Sequence, residues 1–154
     1  MTALGSFNVG DILTAADMNS ISVFTAQTAY TPTISQGVTT NITKTVTVST
    51  YDQINKLVIY TAVLEVTGTG TSGSNITVTL PVAAQAYGTA LTCIGHGYIY
   101  DASATTTYTC SVLRSGDTVV FRNDASGANR VGTTPAFALA SGDVISFTVT
   151  YEAD

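Results

Sequence analysis

Ile42-Thr-Lys-Thr-Val-Thr-Val48 places threonine at every second position, and Asn75-Ile-Thr-Val-Thr-Leu80 repeats the pattern over a shorter run. A period of two carried by β-branched residues describes a strand that buries one side and wets the other. Threonine makes up 29 of the 154 residues. A water-facing Thr keeps strand propensity without adding charge. The chain therefore reads as antiparallel sheet.

Working outward from these two runs, candidate strands cover residues 40–49, 56–66, 75–80, 91–100, 106–113, 118–123, 135–140 and 143–152. Short strands separated by Gly, Ser and Asp turns predict an all-β fold, a single antiparallel β-sandwich or jelly-roll domain over residues 37–154. In the second strand Leu57, Ile59 and Val63 alternate with Val58, Tyr60, Ala62, Leu64 and Val66, so both faces are apolar. Such a strand is either central and covered twice, or its Leu57, Ile59 and Val63 face forms a subunit interface. Ser115-Gly-Asp-Thr-Val-Val-Phe121 and Ser141-Gly-Asp-Val-Ile-Ser-Phe147 echo one another as turn-to-strand entries, a similarity that hairpin chemistry explains.

Residues 1–36 have a different character. Thr14-Ala-Ala-Asp17 has the spacing of a capping box, and a short helix over residues 15–24 is expected to follow it. That helix carries Met18, Ile21 and Phe24 towards one side, and one so short needs something to dock on. Tyr30-Thr-Pro32-Thr then returns the chain to extended geometry. The segment reads as an anchoring arm whose apolar contacts are Leu4, Phe7, Ile12, Leu13, Met18, Ile21 and Phe24.

Composition narrows the function classes. Charged residues are 10% of the chain and the net charge is −5, with two Lys and three Arg; an ordinary domain carries roughly 25% charged residues. Clustered cations for phosphate backbones are missing, so no nucleic-acid partner is expected. No basic amphipathic stretch or long apolar run points to a membrane, and the start has no signal-peptide pattern. So few charges on a soluble chain imply that other copies or partners cover part of its surface. Cys93 and Cys110 flank the Asp101–Ala104 turn, where they either face one another as a disulfide or remain two thiols.

Motifs for chemistry are weak. Gly68-Thr-Gly70-Thr-Ser-Gly73 spells G-x-G-x-x-G, but a strand follows it where a dinucleotide site needs a helix. It reads as a flexible hairpin loop. His96 is the only histidine, and with two Cys it supplies at most three zinc ligands, two of which point to opposite faces by parity. Glu65 and Glu152 are the only glutamates, too few for a paired-carboxylate hydrolase. No catalytic residue, cofactor or metal is assigned, and the chain is not expected to be an enzyme. Tyr98, Tyr100 and Tyr108, together with Arg122 and Arg130 of the polar 122–130 loop, form the candidate surface for a glycan or an anion.

Asn8-Val-Gly-Asp-Ile-Leu-Thr-Ala-Ala-Asp-Met-Asn19 resembles the opening of small structural proteins from tailed bacteriophages. Tyr30-Thr-Pro-Thr33, Val78-Thr-Leu-Pro-Val-Ala-Ala84 and the closing run from Ala138 to Glu152 resemble a β module of their minor tail proteins. That module carries Trp near its start and end, and this chain has no Trp. The resemblance implies a non-enzymatic virion protein, a capsid decoration or minor tail component. It would be docked on major capsid or tail proteins through its N-terminal arm and assembled as a symmetric homo-oligomer, often a trimer. The other reading is a host-glycan or receptor-binding module of a phage tail.

Overall fold

Alternating sequence becomes alternating burial most cleanly in two long strands, Leu57–Val66 and Val144–Glu152, where every second side chain is buried. They lie side by side in a computed structural model that describes residues 27–86, 91–127 and 129–154. In chain order the strands are β1 (Thr28–Ala29), β2 (Ile34–Gln36), β3 (Lys44–Ile54), β4 (Leu57–Val66), β5 (Ile76–Thr79), β6 (Thr92–Asp101), β7 (Thr106–Ser115), β8 (Thr118–Asn123) and β9 (Val144–Glu152). They form one antiparallel sheet in the order β1-β3-β4-β9-β6-β7-β8-β5-β2. The all-β class holds, and the architecture is a curled sheet.

The curl follows from the two edge strands. β1 pairs with β3, and β2 pairs with β5, yet both come from the single segment 28–36. One stretch of backbone therefore bridges the two edges. Residues 28–36 fall within the arm expected over 1–36, but they belong to the sheet. The helix expected over 15–24 and the residues Leu4, Phe7, Ile12, Leu13, Met18, Ile21 and Phe24 lie outside the described residues.

Inside the curl a line of aromatic rings crosses from one wall to the other. Tyr30 meets Tyr60 at 5.8 Å, Tyr60 meets Phe147 at 5.4 Å and Phe147 meets Phe121 at 5.6 Å, all edge to face. Such geometry aligns the positive ring edge with a negative face and adds about 1 kcal/mol per pair beyond burial. Ile34, Val58, Leu64, Ile76, Val78, Ile99 and Ile145 fill the space around them, fully buried. The rings need room on β6, and Gly97 provides it. A Cβ there would meet Ser146 O and sit 2.6 Å from Phe147 Cβ.

One end of the curl is tied by a buried amide. Gln36 Nε2 donates to Phe137 O at 2.8 Å and Ser74 O at 3.2 Å, and its Oε1 accepts from Leu139 N at 2.9 Å. This overturns the strand expected over 135–140. Pro135 has no N–H to offer a ladder, and the Phe137 and Leu139 backbone groups are taken by Gln36. The Gly68–Gly73 run is likewise no hairpin loop, because it joins β4 to β5, which are not neighbours. Its amides are occupied: Gly68 N donates to Thr43 O, Gly70 N to Leu139 O and Gly73 N to Gly132 O. A Cβ on Gly70 would collide with Gln36 Oε1.

The two Ser-Gly-Asp echoes perform the same task. Asp143 O accepts from Val66 N and its Oδ1 from Ala102 N; Asp117 O accepts from Leu80 N and its Oδ1 from Ala84 N. Each Asp thus holds a strand end and a neighbouring loop. The decisive-looking 42–48 run departs from its pattern. Only Ile42 is well buried, Thr45–Val48 are exposed, and a bulge interrupts the register between Val46 and Val48.

Candidate functional site

Cross-strand register places outward-facing residues of β3, β4, β9, β6 and β7 in rows across the outer face, because partners in a ladder share a side. One row runs Glu65, Val144, Tyr100, Thr107, and the next runs Val48, Val63, Ser146, Tyr98, Thr109. A third runs Thr61, Thr148, His96, Ser111, Arg122. The pairing Arg122↔Arg130 extends that third row by one more residue.

Tyr98, Tyr100, Thr107 and Val144 line a shallow groove of about 380 Å³. Tyr108 does not join them. It pairs with Ile99, whose side chain is fully buried, so its ring lies on the inner face and stacks on Phe137 at 5.6 Å. The three-tyrosine surface expected from sequence is therefore a two-tyrosine groove. The rest of that expectation, Arg122 and Arg130, stands on the same outer face two strands away.

Leu57 and Ile59 project outward with 46% and 41% of their surface exposed. Val63 is half-buried on the same face. Val48, 39% exposed, lies beside Val63. The Thr50–Thr61 pair separates these two from Leu57 and Ile59, so the β3–β4 part of the face carries two small apolar pairs.

The third row brings together residues that sequence reasoning kept apart. His96 lies opposite Ser111, and Ser111 Oγ donates to Asp124 Oδ1 at 2.6 Å while accepting from Arg122 Nη2 at 3.2 Å. Asp124 Oδ1 also accepts from Ser111 N at 3.0 Å. A hydroxyl whose proton goes to the carboxylate lacks the nucleophile–imidazole–carboxylate order of a hydrolase triad. A dense row of hydroxyl, imidazole and guanidinium groups can instead hold a polar ligand. Turn length carried the one sequence signal for this row, since the 102–105 turn fixes which residues of β6 and β7 face each other.

Neither cysteine shares a pairing position with the other. Cys93 pairs with Leu113 and Cys110 with Gly97, and both are free thiols. Burial pushes the Cys110 thiol up to about 12, which leaves it protonated and unreactive near neutrality. Among the described residues no group of three or more His, Cys, Asp or Glu is placed to hold a metal. Comparison of the chain with protein-family models, curated proteins and solved structures finds no match.

Proposed function

We propose that this chain is a structural component of a tailed-bacteriophage particle, a capsid decoration or minor tail protein. In this reading the part of the arm that precedes β1 supplies attachment to major capsid or tail proteins, and the β domain packs against copies of itself as a trimer. The curled sheet, with β8 facing β9 across the aromatic line, serves as the sandwich- or jelly-roll-type module of such proteins.

The observation that carries the reading is the pair of exposed apolar groups on the outer face of β3 and β4, Leu57 with Ile59 and Val48 with Val63. Two of these side chains leave more than two-fifths of their surface in water. Exposed apolar groups that cluster on one face mark an interaction surface, and a chain shielded by neighbours tolerates a low charge content. The order of the phage-like sequence stretches supplies the class of partner.

Deleting residues 2–24 tests the attachment. The shortened chain is expected to keep its β circular-dichroism spectrum and to be lost from purified particles. Normal incorporation defeats the proposal.

A further inference from the structure

Two of the three arginines occupy one pairing position. Asn123 N donates to Asn129 O and Val131 N donates to Phe121 O, each at 2.9 Å, on either side of the Arg122↔Arg130 bridge. That pattern makes Arg122 and Arg130 a non-hydrogen-bonded antiparallel pair, in which side chains stand closest. Like charges directly opposite are unfavourable. The chain has only five cations and a net charge of −5, so this concentration of positive charge has no compositional cause.

Local partners neutralise it only in part. Arg122 reaches Ser111 Oγ, whose own proton goes to the exposed carboxylate of Asp124. Among the described residues no ion pair or side-chain hydrogen bond reaches Arg130. The guanidinium pair faces the same side as His96, with Ser111 as the floor between them. Tyr98 and Tyr100 follow His96 along the outward side of β6, at steps of roughly 7 Å. From Tyr98 to Arg122 is one such step along and two strands across, roughly 12 Å, a span that two linked sugar rings cover with the reach of the side chains.

The geometry points to a binding site for a saccharide that carries one carboxylate or phosphate ester. The Arg122–Arg130 pair takes the anion by forked hydrogen bonds. The tyrosine groove takes an adjoining ring by its C–H face, as aromatic rings do. A sparse charge is required, because a long polyanion is repelled by the acidic remainder of the chain. The site is independent of the particle-assembly reading, and each stands if the other fails.

Titration of the intact chain, followed by NMR of backbone amides and arginine side chains, tests it. Three probes are compared: a disaccharide ending in glucuronic acid, the same disaccharide bearing a single phosphate ester, and the neutral parent. At least one acidic probe is expected to shift Arg122, Arg130 and His96 saturably and at least tenfold more tightly than the neutral parent. Whichever acidic probe binds identifies the anion. Arg122→Ala is expected to weaken that binding at least tenfold, and Tyr98→Ala to weaken it while leaving weak inorganic phosphate binding at the arginines unchanged. Arg130→Gln, measured without ligand, is expected to keep or raise Tm through relief of the like-charge pair. Equal binding of neutral and acidic probes, no saturable shift, tighter binding of a single-stranded oligonucleotide, or a lowered Tm for Arg130→Gln overturns the inference.

Discussion

Gln36 and Asp143 inside the curl and the polar row on its outer face meet opposite fates, whereas buried Arg114 donates from Nη2 to Ala84 O and leaves its Nε without a partner among the described residues. Gln36 is fully buried and its amide is matched on both sides by backbone groups. Asp143 is 1% exposed, and its two carboxylate oxygens accept from Ala102 N and Ala140 N. On the outside, the Thr61–Arg130 row presents hydroxyl, imidazole and guanidinium groups that bond mainly one another, as in Thr61–Thr148 and Arg122–Ser111, and only Ser111 among them is buried. An unmatched polar group is costly in the interior and nearly free at the surface. The inner set therefore specifies the shape of the sheet, and the outer set is available for recognition.

Removing the best-matched interior group gives the largest effect. Gln36→Ala strands Ser74 O, Phe137 O and Leu139 N and opens a cavity, at a cost of about 4 kcal/mol. Urea denaturation is expected to show the lowered midpoint. Loss of the 70–75 and 132–139 loop protection in hydrogen exchange should accompany it. A loss below about 1 kcal/mol would mean that water replaces the amide, and the interior would then behave like the surface.

Titration sharpens the same contrast. Burial raises Tyr151 to about 12, and its hydroxyl donates to Val82 O while accepting from Val82 N. Cys110 is likewise raised to about 12 by burial. Both groups are neutral in the folded chain, and both ionise more readily when unfolded, from reference values of 10.0 and 9.0. Their contribution is fully present below pH 9 and is lost as pH climbs towards 12, at most about 3 kcal/mol for Tyr151 and about 4 kcal/mol for Cys110. Tm measured against pH is expected to fall across that window. Tyr151→Phe should lessen the fall above pH 10, where buried Tyr60 is also held protonated by burial, and Cys110→Ala the part that begins near pH 9.

The same contrast explains what could be read from the chain. The strand expected over 118–123 is β8 to the residue, and β4, β6, β7 and β9 lie within two residues of expectation. Their periodicity is local and their turns carry Gly, Asn or Asp. β1 and β2 escaped because two- and three-residue strands have no period, and their partners lie far away at Tyr51 and Val78. The false strand at 135–140 failed for a similar reason: Gln36, a hundred residues earlier, takes its backbone groups. Tyr108 was misplaced by one register position, which moves a side chain to the opposite face. Arg122 and Arg130 were legible as members of one polar loop, but their alignment with His96 and Ser111 was not, because only the ladder assembles that row.

The smallest expected effect tests the outer face itself. Thr61 Oγ1 and Thr148 Oγ1 lie 3.1 Å apart on that face, a hydrogen bond that an interior would reward and that water competes away. Thr148→Val keeps the β-branch and the strand propensity and removes only this bond. Tm and urea midpoint are expected to move by no more than about 0.5 kcal/mol in either direction. Thr148 neighbours His96 across the β9–β6 ladder, so the same variant reports on how wet the row is. A loss beyond about 1.5 kcal/mol would place the Thr61–Thr148 pair under cover, and the row would then belong to the fold and not to a ligand.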